Sequence, residues 1–210
     1  MKTLITCLLL AIGNVLSAQS VGIFDHHEDI GHPKVMGSAV FDKTKDSYTL
    51  SGGGYNIWFA RDEFHFLYKQ VTGDFTVEGN FELLGAGTDP HRKTGWMIRE
   101  SLADSAVHIS ATVHGDGLTV LQWRMKSGMA MRDPQDELFA KDKHYSLLQL
   151  QRKGNTITMR AAKQKGQPWE LIGSYTAENL PATVYVGLFI CAHNEQSLEK
   201  ATISEVKFIN

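Results

Sequence analysis

A chain of 210 residues, 42% of them hydrophobic, has enough apolar side chains for one sizeable core and too few residues for two comfortable domains. Its formal net charge of −2, spread without long blocks of one sign, excludes the basic surface that nucleic acid or an anionic membrane requires. Two cysteines, Cys7 and Cys191, offer no disulfide framework, so the fold must rest on its core.

The amino terminus places Lys2 ahead of an apolar run from Leu4 to Ile12, then small residues Ser17 and Ala18 before polar Gln19. That order predicts a signal peptide over residues 1–18, cleaved after about Ala18, and a secreted or periplasmic single domain over 19–210. Thr6, Gly13 and Asn14 interrupt the run, which falls short of the roughly 20 apolar residues of a membrane anchor, so no membrane insertion is expected. Loss of Lys2 with the leader takes the charge to −3, and loss of Cys7 leaves Cys191 as the lone thiol.

Beyond the leader, no stretch sustains apolar spacing at helical period, whereas alternation of period two recurs. Phe64, Phe66 and Tyr68 alternate with His65, Leu67 and Lys69. After the turn Thr72-Gly73-Asp74, the residues Phe75, Val77 and Phe81 alternate with Thr76, Glu78, Asn80 and Glu82. This reads as a strand, a tight turn and a strand forming a first hairpin. A second hairpin follows, in which Val107, Ile109, Ala111 and Val113 alternate with His108, Ser110, Thr112 and His114 before Gly115-Asp116-Gly117 turns the chain into a strand ending at Arg124. Leu148 and Leu150, the turn Gly154-Asn155, and Ile157, Met159 and Ala161 make a third. Ala182 to Ala192 is largely apolar, as a strand covered on both faces is, and Ala201 to Ile209 closes the chain. Gly85 to Thr94 and Ser127 to Lys143 read as loops. Roughly ten or more short strands without crossover helices predict an all-β, antiparallel two-sheet sandwich or jelly roll.

Several segments, in order, resemble secreted bacterial proteins of the concanavalin A-like lectin/glucanase superfamily, related to the regulation-of-enolase domain and to proteins labelled TolB-like. They are Gly37 to Ala39, Tyr48, Gly52 to Trp58, Asp62 to His65, Gly73 to Phe75, His91 to Lys93, Gly95 to Arg99, His114 to Leu118, Gln122 to Arg124 and Tyr185 to Asn194. The resemblance implies a concanavalin A-like jelly roll among glycan-related proteins of unassigned activity, with no cofactor beyond a structural calcium that the fold allows. It also implies one sheet that carries the ligand.

The polar sides of the strands collect donors suited to hydroxyls and carboxylates. Arg99, His108, Gln122, Arg124 and His193 are expected to converge on one site, with His108, His193 and Arg99 as candidate acid/base and charge-neutralising groups. Trp58, His65, His91, Arg92, Lys93, His114, Gln122, Arg124 and Asn194 are the candidate ligand contacts. Trp58 follows a glycine run and offers a plane for a sugar ring, whereas Trp96 and Trp123 fall on apolar phases and read as core. His91-Arg92-Lys93 is either an anion clamp or a solvated turn. The stretch Glu78-Gly-Asn-Phe-Glu82 looks like a glucanase strand motif with Asn80 in place of the middle Asp. His26, His27 and His32, beside Glu28 and Asp29, lack zinc-protease spacing, so no metal site is expected. Cys191 reads as a small buried hydrophobe. Three readings stay open: a glycan-binding protein, a glycan-active lyase or hydrolase, and a scaffold whose polar face is merely solvated.

Overall fold

The computed structural model describes residues 20–178 and 180–209; the leader and its cleavage position lie outside them. The strands in chain order are β1 His26–Ile30, β2 Ser38–Asp42, β3 Ser47–Gly52, β4 Phe64–Thr72, β5 Phe75–Leu83, β6 Lys93–Arg99 and β7 His108–His114. They continue with β8 Thr119–Arg124, β9 Glu137–Phe139, β10 Leu147–Lys153, β11 Thr156–Ala162, β12 Glu170–Thr176, β13 Thr183–Cys191 and β14 Glu199–Ile209. Among the described residues there is no helix.

The strands form two antiparallel seven-stranded sheets, a first in the order β1-β4-β13-β6-β7-β8-β9 and a second in the order β12-β11-β10-β5-β14-β3-β2. The second and third hairpins pair as expected, His108 with Arg124 and Leu147 with Ala162 at their open ends. The first does not. β4 belongs to the first sheet and β5 to the second, so the turn at Gly73-Asp74 carries the chain from one layer to the other. Alternation and a glycine turn are equally compatible with both outcomes, because period two fixes the faces of a strand and not its partner.

Between the sheets, Trp96, Ile98, Ile109, Ala111, Leu121 and Trp123 pack against Val77, Phe81, Leu148, Leu150, Met159 and Ile203. Full burial of each large apolar side chain is worth about 1.5–3 kcal/mol, which is what holds a chain without disulfides together. Trp123 stacks on Tyr175 with ring centroids 4.3 Å apart. A second cluster lies on the outer face of the first sheet, where Phe64, Phe66, Tyr68, Met97, Phe189 and Cys191 pack with Ile30 and Ile57. The aromatic phase of β4 therefore faces away from the main core and Leu67 faces into it, the reverse of the simplest reading of that strand. β13 has both faces covered, which explains its near-continuous apolar sequence.

Candidate functional site

Strand register lays the outer face of the first sheet out in rows. Arg99, His108 and Arg124 are cross-strand neighbours in one row, Met97, Ser110, Gln122 and Glu137 in the next, and Lys93 and His114 in a row at the far end. Between the last two lie Gly95, Thr112 and Val120, all buried.

The segment 53–63 folds back over the first of these rows. Gly54 makes that reversal possible: its φ is +100°, and a Cβ there would sit 1.9 Å from the Glu63 carbonyl oxygen. Asn56 then fastens the bend, its Oδ1 accepting from Ile57 N at 2.8 Å and Trp58 N at 3.1 Å. The segment drives the buried Asp62 carboxylate between two guanidinium groups. Arg99 Nη1 donates to Asp62 Oδ2 at 2.7 Å, and Arg124 donates to Oδ2 at 2.8 Å and to Oδ1 at 2.5 Å. Their other N–H groups go to backbone carbonyls of Ser101, Ala103, Ala106, Met129 and Phe59. His108 is buried in the same row, its pKa driven well below the ordinary imidazole value by burial and by Arg124 and Arg99 beside it. Arg99, His108 and Arg124 are therefore sealed beneath the cover, and the structure does not bring them to a ligand-accessible surface.

Where the cover ends, a cleft of about 350 Å³ opens, lined by Asn56, Trp58, His91, Lys93, His114, Leu118, Gln122, Asp133, Glu137, Phe139 and His193. Six residues predicted from sequence thus converge: Trp58, His91, Lys93, His114, Gln122 and His193. The ring of His91 lies 5.9 Å from that of His114 and 5.5 Å from that of His193. His193 holds a left-handed backbone, φ 56°, and its Nδ1 is 3.4 Å from Asp89 Oδ1. Burial keeps the Lys93 ammonium below the usual lysine range and, together with Lys93, holds His114 and His193 below the usual histidine range. The Glu137 carboxyl is pushed up to about 7 by burial and by the adjoining Asp133. The cleft thus sets a cationic end, around Lys93, against an acid end formed by Asp133 and Glu137.

Three further candidates sit elsewhere. His65 is buried near Gly37 and Gly52, with Asp29 Oδ1 2.7 Å from its Nδ1 and His27 Nδ1 3.1 Å from its Nε2. Arg92 is buried too, donating to Glu199 at 2.6 Å and to the Leu84 and Gly85 carbonyls, which pins the loop before β6 to β14. Asn194 uses its Oδ1 locally, accepting from Gln196 N. Glu78 and Glu82 belong to the second sheet, where Glu78 accepts from Gln149 and Lys207. Cys191 is buried and free, its thiol raised to about 11.

Asn56, Leu118, Asp133, Glu137 and Phe139 were not anticipated. The segment 127–143 reads as a loop, and β9 within it is only three residues long, too short for a period to show. Among the described residues no group of three or more His, Cys, Asp or Glu is arranged to hold a metal ion, so the structural calcium that the fold allows finds no side-chain cluster here.

No family model matches the sequence, and no curated protein matches it. Solved structures do. A functionally unknown protein from Saccharomyces cerevisiae shares 19% identity at a TM-score of 0.64, over 87% of this chain and 95% of that one. The VIP36 exoplasmic/lumenal domain in its Ca²⁺/Man3GlcNAc-bound form shares 13% at 0.52, over 83% of each chain. The GH43 protein BlXynB from Bacillus licheniformis shares 8% at 0.53, over 87% of this chain and 39% of that one. The fold is an antiparallel jelly-roll sandwich of the concanavalin A-like kind.

Proposed function

We propose that this chain is a glycan-interacting protein that takes a carbohydrate in the cleft beside Trp58. One observation carries the reading: side chains scattered from Asn56 to His193 are gathered around a single depression on the outer face of the first sheet, with a half-buried tryptophan at its edge. A sugar presents an apolar ring face and a rim of hydroxyls, which the indole and the surrounding imidazole, amide and carboxyl groups match. The fold it shares with the Man3GlcNAc-bound VIP36 domain supports the reading. A glycan array followed by calorimetry tests it. Saturable binding of an oligosaccharide, weakened by Trp58→Ala, is the expected result, and an array with no binder would overturn it.

Glu137 favours a second reading, a glycan-active lyase or hydrolase. A carboxyl titrating at about 7 in a cleft suits proton transfer near neutral pH, with His193 as its partner across the floor. In this reading Arg99 and His108 act by holding the floor. New reducing ends or ultraviolet-absorbing ends generated from a bound glycan, and lost in Glu137→Gln, would establish it.

Secretion belongs to the same proposal, supported by the order of Lys2, the apolar run and Ala18; the exported protein should begin at about Gln19. Kinship with the regulation-of-enolase and TolB-labelled proteins is part of the same proposal and rests on the segments quoted above.

A further inference from the structure

Among the described residues, the cleft contains buried donors that nothing in the protein satisfies. Lys93 is 3% exposed, yet its ammonium makes no ion pair; the carboxylates of Asp89, Glu137 and Asp62 act on it only from a distance. His114, 8% exposed, lies directly opposite Lys93 across the β6–β7 ladder, and neither of its ring nitrogens has a hydrogen-bond partner. Gln122 is 1% exposed and its Nε2 is also unpartnered. The unpartnered nitrogens of His114 and Gln122 cost free energy, and the nearly buried ammonium of Lys93, which reaches the cleft, adds its own desolvation cost. All three line the same cleft. Elsewhere among the described residues the buried cations have hydrogen-bond partners: Arg99 and Arg124 share Asp62, Arg92 holds Glu199, and Arg152, without an ion pair, donates to the carbonyls of Gly154, Pro181 and Ala182. Lys93 is the exception, and it opens onto the one place where a carbohydrate is proposed to sit.

The rest of the cleft refines this. His91 and His193 stand beside Lys93 and His114, while Asp89, the acid nearest them, is engaged by His91 N at 2.7 Å and by His193. At the opposite end, Gln122 and Glu137 face each other across the β8–β9 ladder. Lys93 and Gln122 are about four residues apart along the strand direction, or roughly 13 Å at the backbone. A ligand that fills the space meets donors at one end and a mixed donor and acceptor set at the other.

Resting on the carbohydrate reading, we infer that the glycan bound here carries a uronate, whose carboxylate seats on Lys93 and His114 while hydroxyls further along the oligosaccharide reach Gln122 and Glu137. A neutral sugar would leave the ammonium unpaired, whereas a carboxylate supplies charge and two acceptor oxygens at once.

The experiment is calorimetry of the mature protein with matched sets of oligosaccharides: galacturonate and mannuronate oligomers, neutral galactose and mannose oligomers, and sulfated galactose oligomers. Uronates should bind at least about tenfold more tightly than their neutral counterparts, the worth of a charge-assisted hydrogen bond. Lys93→Met should remove that preference while keeping residual affinity for the neutral set. A uronate preference that survives in the folded Lys93→Met variant overturns the seat on Lys93. Equal affinity for uronate and neutral sugars overturns the inference and leaves carbohydrate binding standing. A preference for sulfated over uronate ligands overturns the carboxylate assignment. Absence of any glycan binding overturns both readings together.

Discussion

Arg99 and Arg124 stand two strands apart on β6 and β8 and close on the same oxygen, Asp62 Oδ2, at 2.7 and 2.8 Å. Two guanidinium groups for one carboxylate leave an excess positive charge out of water, spread over five backbone carbonyls that belong to the segments covering the sheet. Breaking a buried ion pair by removing one partner costs about 3–5 kcal/mol, since the remaining charge is left uncompensated. Asp62→Asn is expected to lose stability of that order in urea denaturation and to expose the segment 53–63 to proteolysis. An unchanged midpoint would mean the cover is held by Ile57 and its apolar neighbours instead.

Lys93 predicts the opposite sign. Burial holds its ammonium below the usual lysine range, so folding disfavours the charged form. Lys93→Met should therefore raise the melting temperature, by at least about 2 °C if as little as 1 kcal/mol is recovered. The gain should shrink as pH climbs towards the ordinary lysine pKa of about 10.4, where the unfolded chain also loses the proton. A destabilised Lys93→Met variant would contradict an unpaired buried charge.

Glu137 titrates higher in the folded protein, at about 7, than in an unfolded chain, at about 4.3. The folded state holds the proton more tightly. Its stabilising contribution is complete below about pH 4.3 and is lost as pH rises through about 7. Glu137→Gln should match the parent at low pH and become relatively more stable above neutrality. Thermal melts from acid to mildly alkaline pH would show this as diverging curves; parallel curves would refute the raised pKa.

His108 works the other way. Its folded pKa lies well below the ordinary value, so the unfolded chain takes up a proton near pH 6.5 that the folded protein refuses. Stability is complete above about pH 6.5 and falls with acid, each such histidine contributing a slope of about 1.4 kcal/mol per pH unit. In His108→Leu, denaturant titrations between pH 6.5 and 5 should show that slope reduced by one proton. An unaltered slope would place the acid sensitivity on His114 and His65, which are also held low by burial.

Period-two alternation made the hairpins β7–β8 and β10–β11 legible, along with the shared faces that bring Lys93, His114, Gln122 and His193 to one cleft. It did not reveal what covers a face. Arg99 and Lys93 occupy equivalent phases of one strand, six residues apart, and only the return of residues 53–63 seals one beneath a cover and leaves the other lining the cleft. Asp62, which decides this, lies 37 residues before Arg99 in a segment whose sequence shows glycines rather than a strand. Phe64, Phe66 and Tyr68 misled for the same reason, since a sheet covered on its outer face carries apolar residues there as well. Glu137 stayed hidden because a three-residue strand inside a polar segment leaves no periodic trace.

The position of β14 governs how the molecule can be made. In the second sheet it lies between β5 and β3, and in the first sheet β13 lies between β4 and β6. Both sheets are thus keyed by strands from the carboxy-terminal end of the described chain, and without residues 183–209 each separates into two unconnected ribbons. Such long-range pairing is slow, because loop closure must precede the contacts that reward it. During synthesis the earlier strands have no complete layer to join. Neither layer can therefore close before residues 183–209 are available.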